Sequence, residues 1–188
     1  MIDIDADEQY RNQVKTRYEF SSWAGHVKEG DRNARLGDVL VLPIVLESWR
    51  LEGRENLPSF SRQQHVVRYV YNSARGDGGP RVASTVFSCE SVLEAHETLI
   101  DVVMTYMAPN LPRCETKGVE VGDICFGSHG ELNLSMIFAR FNILVEIKNA
   151  GREAVSVNEF AENVDALILG QYRGTKNPGG SPAASGSP

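Results

Sequence analysis

The sequence predicts an α+β fold in which helices pack on a twisted antiparallel sheet. Residues 135–148 alternate apolar and polar side chains with a period of two, which is typical of a strand with one buried face. Residues 156–169 then place apolar side chains at helical spacing, which is typical of an amphipathic helix lying on that strand. Shorter segments with strand and helix patterns precede them, so helices and antiparallel strands are expected to share one sheet-based fold.

The alternating segment at 135–148 is predicted to form one long strand. Its odd positions from Ile137 to Ile147 are apolar, while its even positions include Arg140. Because the segment exceeds the roughly five or six residues of a typical strand, we expect a bend or bulge near Asn142.

Two helix starts carry the same signals and are compatible with a repeated unit. Ser91 and Glu94 match the register of Ser156 and Glu159, which form a predicted capping box, and Gly170 suits the position after the second helix. Each helix follows a predicted pair of strands, so the sequence is compatible with two strand-strand-helix units. Two capped amphipathic helices also look alike without any repeat, and this alternative stays open.

The remaining elements follow from local patterns along the chain. Tyr10, Val14 and Tyr18 recur every four residues and predict an N-terminal helix, and Trp23 is predicted to anchor the loop after it. Pro43 lacks an amide donor, so a strand that contains it favours a sheet edge or a bulge. The predicted elements in order are a helix within 9–20, strands at 40–49, 65–72 and 82–89 with a loop at 50–64, a helix at 91–107, strands on both sides of a turn at 127–130, and the helix at 156–169.

Length and composition indicate one domain followed by a tail. The chain has 188 residues, of which 41% are hydrophobic, and this suits a single packed core. We therefore predict one α+β domain at 1–172. Residues 173–188 are rich in Gly, Ser, Pro and Ala and are predicted to be disordered, because they contain too few apolar side chains to offset the entropy of ordering.

Charge and hydropathy argue against two classes of partner. The net charge of −6 provides no basic stripe for a phosphate backbone, so we expect no nucleic-acid partner. No run approaches the roughly 20 apolar residues of a membrane span, and the acidic N-terminus differs from a secretion signal. We therefore predict a cytoplasmic protein without a membrane partner, in which the three cysteines are reduced thiols.

Cys125 and His129 are the strongest candidates for chemistry. Their Cys-x3-His spacing is compatible with two ligands of a zinc site, or with a nucleophile and its base. The chain lacks a second closely spaced ligand pair and a glycine pattern for an oxyanion hole. We therefore predict no metal, no cofactor and no catalytic residue. A small enzyme or metal-binding protein that uses Cys125 and His129 stays an alternative.

The favoured function is that of a non-enzymatic binding or accessory protein inside the cell that captures a peptide or protein partner. A short sheet with a Pro-bearing strand is expected to expose an edge, and exposed edges pair with extended segments through backbone hydrogen bonds. The predicted partner-binding residues are Trp49, Arg68, Tyr69 and Tyr71, because Trp, Tyr and Arg most often anchor interfaces. The alternative is that these aromatic residues belong to the core. Binding of an apolar small molecule between sheet and helix is a further alternative function, and self-association stays open.

Overall fold

The structure is a computed structural model, and it confirms the predicted α+β fold. Its described part contains three α-helices and one six-stranded antiparallel sheet. The described residues are 4–27, 49–59, 65–73, 79–106 and 110–175, with the backbone alone described at 4–6 and 171–175.

The elements follow one another in an order that repeats. The α-helices are α1 (Ile4–Arg17), α2 (Val92–Met104) and α3 (Asn158–Thr175), and short 3-10 helices lie at Phe20–His26 and Cys114–Lys117. The strands are β1 (Trp49–Leu57), β2 (His65–Ser73), β3 (Arg81–Ser88), β4 (Ile124–Gly127), β5 (Ser135–Arg140) and β6 (Ile143–Asn149). Three strands precede α2 and three more precede α3. The described chain therefore contains two strand-strand-strand-helix units, where the predicted repeat unit had two strands and a helix.

The two units join through their last strands. The strand order is β1-β2-β3-β6-β5-β4, and every neighbouring pair is antiparallel. Within each unit consecutive strands are neighbours, and between the units β3 pairs with β6, where Val86 lies opposite Val145. β1 and β4 are therefore the outer strands of the described sheet.

Helices cover both faces of the sheet, so the sheet lies between two apolar cores. On one side, here named the α3 face, Phe160 of α3 packs in a core with Phe138 and Val145. On the other side, here named the α2 face, Leu99 of α2 packs in a core with residues of α1 and of the first 3-10 helix. Trp23 belongs to this second core and is 1% exposed, which confirms it as a buried anchor.

The prediction of one strand at 135–148 is wrong, because the chain reverses between Arg140 and Ile143. β5 and β6 form a hairpin in which these two residues lie opposite each other across a two-residue turn. Across this turn, odd-numbered residues of β5 lie opposite even-numbered residues of β6. Odd-numbered residues of β5 such as Ile137 therefore face α2, while odd-numbered residues of β6 such as Val145 face α3. Since both faces of the sheet are buried, apolar residues occur at odd and even positions alike, and the pattern does not mark the turn.

Hydrogen bonds hold the turn between β5 and β6 from two sides. Phe141 has a φ of 53°, in the left-handed region that residues other than glycine seldom adopt. Its N–H donates to the Asp123 carboxylate at 2.9 Å, and the residue is fully buried. The Asn142 amide donates to the Cys89 carbonyl at 2.6 Å, and the Cys89 N–H donates back to the Asn142 carbonyl at 2.9 Å. These contacts stabilise a turn that its own sequence does not favour.

A buried ion-pair network joins the hairpin to α3 and to the start of β4. The guanidinium of Arg140 donates two hydrogen bonds to Asp165 of α3, at 2.7 and 2.6 Å, and a third to Asp123 at 2.8 Å. Asp165 also accepts the Gly122 N–H at 3.1 Å. Burial alone would lower the pKa of Arg140, but the hydrogen bonds and charges of the two acids outweigh burial and raise it.

The predicted helix boundaries are partly correct. The Ser91 hydroxyl caps α2 by accepting the Glu94 N–H at 3.1 Å, as the sequence indicates. In α3 the Ser156 hydroxyl instead accepts the Asn158 N–H at 3.3 Å, two residues on, and the helix starts later than predicted. α3 also continues through Gly170 and into the first residues of the predicted tail, most of which lies outside the described chain.

The edge strand β1 was not predicted. The strand predicted at 40–49 falls outside the described residues except for Trp49, which begins β1, and the rest of β1 lies where a loop was expected at 50–64. The β1 sequence, WRLEGRENL, has three apolar side chains, Trp49, Leu51 and Leu57, and lacks an apolar alternation. By contrast, the predicted strands at 65–72 and 82–89 are confirmed as neighbours in the hairpin of β2 and β3.

Replacing Arg140 with Met tests the ion-pair network. Met has a similar shape but leaves Asp123 and Asp165 without their cation, and an uncompensated buried charge costs about 3–5 kcal/mol. We expect Arg140→Met to lower the free energy of unfolding by this amount in urea denaturation at neutral pH. Arg152 is exposed, so Arg152→Met is the matched control and should change the same quantity by less than about 0.5 kcal/mol. Equal losses in both variants would contradict a special role for the network.

Candidate functional site

β1 is an outer strand whose side chains are largely exposed. In the described part of the chain it pairs with β2 alone, so its second backbone edge faces no described strand. None of its nine residues is buried, and Leu51 is 42% exposed. A β-bulge between Leu51 and Gly53 interrupts the register with β2. The strand thus offers a row of backbone donors and acceptors at the edge of the sheet.

The opposite edge of the sheet, at β4, is closed by the segment that precedes it. Arg113 forms a β-bridge with Phe126 of β4, and its guanidinium lies 5.2 Å from the centre of the Phe126 ring. A disulfide between Cys114 and Cys125, with Cα atoms 5.4 Å apart, ties the same segment to β4. Of the two outer strands, β1 is therefore the one with an open edge among the residues described.

Two of the predicted partner-binding residues lie in the core. Tyr69 and Tyr71 are 1% and 0% exposed, and both belong to the core on the α3 face. The ring of Tyr71 is 4.9 Å from the ring of Phe160. β2, which carries both tyrosines, lies between β1 and β3 and is therefore an inner strand of the sheet. A role of these tyrosines in partner binding stays a prediction, and their position is that of core residues.

The other two predicted residues border β1 at the surface. Trp49 is half-buried at the start of β1, and its ring packs edge-to-face on Phe160 at 6.1 Å. Arg68 is exposed on the α2 face, where it lies opposite Glu55 of β1 and Thr85 of β3. Trp49 and Arg68 therefore lie on opposite faces of the sheet, Trp49 on the edge strand and Arg68 one strand further in.

The α3 face of β1 carries a stripe of apolar and cationic side chains. Read along the strand, the residues on this face are Trp49, Leu51, Arg54 and Asn56. Leu51 and Arg54 lie opposite the buried Tyr71 and Tyr69, which places them on one face despite the bulge. Arg54 is exposed and forms no ion pair within the described chain. Neither Leu51 nor Arg54 was a sequence candidate, because the strand that aligns them was not predicted.

A groove of about 300 Å³ opens on the α2 face at the end of β1. Its floor belongs to β2, β3 and β6, and the C-terminal part of α2 forms one wall. The apolar lining consists of Leu57, Pro58, Val66, Phe87 and Val102. The groove begins at Leu57, the last residue of β1, so it continues the edge of this strand across the sheet.

The charged side chains of this groove differ in whether they already have a partner within the protein. Glu146 accepts a hydrogen bond from the Tyr106 hydroxyl at 2.8 Å and pairs with Lys148 at 2.7 Å. Burial and, after it, the charge of Glu146 raise the pKa of Tyr106, so this hydroxyl stays protonated as a donor. Arg68 forms no ion pair in the part of the chain that is described. The groove therefore leaves the Arg68 guanidinium available to a partner.

The structure does not place Cys125 and His129 in a chemical site. Cys125 is 1% exposed and bonded to Cys114, so the expectation of reduced thiols is wrong for this pair. His129 is exposed in the loop between β4 and β5. Cys89 is free and buried, and burial raises the pKa of its thiol to about 12, which disfavours the reactive thiolate. No group of three potential metal ligands occurs within the described ranges.

The disulfide between Cys114 and Cys125 is a feature of proteins from oxidising compartments. Disulfides persist mainly in oxidising compartments, so the cysteines no longer favour a reducing one. The cytoplasmic location stays a prediction from the N-terminal sequence. None of the helices in the described residues combines the length and apolar character that a membrane span requires.

Comparisons with known proteins supply no relative from which a function could be transferred. No protein-family model matches the chain, no curated protein matches it, and no solved structure matches it.

His96 of α2 is a buried titratable group near the ion-pair network. It is 3% exposed, its ring lies 5.6 Å from that of Trp23, and its Nε2 has no hydrogen-bond partner. Burial lowers the pKa of His96, the charges of Asp123 and Glu97 oppose this shift, and His26 adds to it. The folded protein therefore favours the neutral imidazole.

We expect His96 to make stability pH-dependent. Because its pKa is lowered on folding from the ordinary value of about 6.5, the unfolded chain binds the proton first, and stability is lost as the pH falls below about 6.5. The free energy of unfolding should fall between pH 7 and pH 5, by at most about 1.4 kcal/mol per pH unit from this residue. Urea denaturation across this range should show a flatter profile for His96→Gln and an unchanged profile for the exposed control His129→Gln. Identical profiles in all three proteins would contradict this assignment.

We expect the disulfide to stabilise the closed edge of the sheet. It links residues 11 positions apart, and removing a crosslink of a loop this short costs about 3 kcal/mol. The double variant Cys114→Ala with Cys125→Ala should lose this free energy of unfolding in urea. Adding a reductant to the wild-type protein should shift its urea midpoint in the same direction and leave that of the double variant unchanged. A wild-type protein that carries three titratable thiols under denaturing, non-reducing conditions would show that the disulfide does not form.

Proposed function

We propose that the protein binds an extended segment of a peptide or partner protein along β1 and does not catalyse a reaction. The observation that carries this proposal is the asymmetry of the sheet edges. β1 has no described neighbour on its second edge, whereas a bridge and a disulfide close the edge at β4. Backbone groups of an open edge hydrogen-bond an added strand, and alternate side chains supply selectivity.

The length and the charges of β1 suit a selective partner. At about 3.4 Å per residue its nine residues span about 30 Å, which is enough to pair with a segment of similar length. Arg50, Glu52 and Glu55 are exposed along the strand, and the bulge twists it. Charges and bulges of this kind oppose pairing between identical or flat apolar edges. They favour a partner segment whose side chains complement them.

The groove on the α2 face extends the proposed site. Leu57 and Pro58 line its opening, so a segment that pairs with β1 and continues beyond Leu57 would cover Val66 and Phe87. Burying such side chains removes apolar surface from water, which contributes about 25 cal/mol per Å². Arg68 beside these residues offers a guanidinium to an acidic group of the partner. The edge thus supplies backbone pairing, and the groove supplies contact area.

A peptide-display library panned against the purified protein tests this proposal. We expect it to enrich peptides that alternate apolar and polar residues, since an added strand has one side chain on each face in turn. An enriched peptide is then synthesised in two forms, with N-methyl groups on one or the other set of alternate amides. One form should lose at least about tenfold in affinity by calorimetry, because its amides face β1, and the other form should bind unchanged.

Hydrogen exchange locates the bound peptide and serves as the control. The amides of β1 should exchange more slowly when the peptide is bound, while those of β4 should keep their rates. Two methylated forms with equal affinity, or protection that avoids β1, would show that the protein does not capture peptides by strand addition. Turnover of the peptide by the protein alone would refute the non-enzymatic part of the proposal.

A further inference from the structure

We infer that the partner segment places an acidic residue opposite Arg54 and an apolar residue, two positions away, opposite Leu51. This inference rests on the proposed function, because it assigns the chemistry of the segment that pairs with β1. Its basis is the stripe on the α3 face of β1, where the exposed Arg54 follows the apolar side chains of Trp49 and Leu51.

Among the described residues of β1 and β2, no acid lies next to this cation on the α3 face. On β1 the adjacent residues of the α3 face are Leu51 and Asn56, and the residue opposite Arg54 on β2 is the buried Tyr69. A guanidinium stays charged at any pH of interest and binds a carboxylate through two parallel hydrogen bonds. A residue opposite Arg54 on an added strand lies about 5 Å away, within reach of such a pair. The open side of Arg54 is therefore suited to an acid from another chain.

The apolar part of the stripe fixes the spacing of the partner residues. Leu51 is 42% exposed and Trp49 is half-buried, so an apolar side chain laid over them would remove their surface from water. Leu51 and Arg54 lie opposite Tyr71 and Tyr69, which are alternate residues of β2. For its residues at these two positions to lie on the α3 face, a strand added on the other side of β1 must use alternate residues of its own. The partner therefore carries its apolar and acidic residues two positions apart.

The β1 strand of a second copy does not meet the requirement. The residues of β1 on the α3 face are Trp49, Leu51, Arg54 and Asn56, and none of them is acidic. The acid Glu55 lies on the α2 face, opposite Arg68. Pairing of β1 with another β1 would leave the Arg54 guanidinium without a carboxylate. An edge-to-edge dimer through β1 would therefore leave this cation unpaired, and we assign the segment to a different protein.

Fluorescence anisotropy with designed peptides tests this inference. The probes are fluorescein-labelled, threonine-rich peptides of nine residues, matched to β1, with two leucines and one glutamate at alternate positions in either chain direction. Companion probes replace the glutamate with glutamine or lysine. We expect the glutamate probe to bind about tenfold more tightly than the glutamine probe, and the lysine probe to bind most weakly.

Variants of the full chain assign the preference to one residue. Arg54→Gln should make the glutamate and glutamine probes equal, and Arg54→Glu should favour the lysine probe. Arg152→Gln, at an exposed arginine outside β1, should keep the glutamate preference. Equal affinity of all three probes for the wild-type protein would overturn the inference. The proposal of strand addition is tested separately, by the affinities of the two N-methylated peptides. A dimer in sedimentation that the probe dissociates would overturn the assignment to a different chain.

Discussion

The guanidinium of Arg140 is the contact on which the arrangement of the second half of the molecule depends. It hydrogen-bonds a carboxylate of α3 and a carboxylate at the start of β4, so a helix, a hairpin and an outer strand meet at one buried cation. Asp123, one of these acids, also accepts the N–H of Phe141 and supports its positive φ. The electrostatics of the interior and the geometry of a tight turn are thereby coupled.

The sequence predicts those helices and strands in which the spacing of apolar residues matches the spacing of buried positions. α2, β2 and β3 follow their apolar patterns because each residue's environment is set by its own position in a regular element. The turn at Phe141 escapes prediction, because its dipeptide lacks the glycine or asparagine that such a turn usually has at its first position. The turn is stabilised by Asp123, which lies far from Phe141 in the sequence and contacts it only in the folded protein.

The candidate site was predictable by residue type and not by position. Trp49 and Arg68 border the open edge, but Tyr69 and Tyr71 share the same interface-prone chemistry and lie in the core. Leu51 and Arg54 belong to a strand that is exposed on both faces, so no alternation marks it in the sequence. The pairing of Cys114 with Cys125 likewise follows from the approach of two backbone segments, which sequence spacing alone does not report.

The junction of β3 with β6 has a consequence for how the chain folds. Pairing within β1, β2 and β3, or between β5 and β6, closes short loops, whereas β3 meets β6 only after the chain has passed through α2 and two further strands. Closing the longer loop loses more entropy before its contacts form, so the halves are expected to assemble first and dock later. Until they dock, β3 and β6 are edges of separate half-sheets. β3 and β6 are the central strands of the native sheet, but before docking each has an unpaired edge that can pair with a strand of another copy. Domain swapping is therefore expected at the junction of β3 with β6.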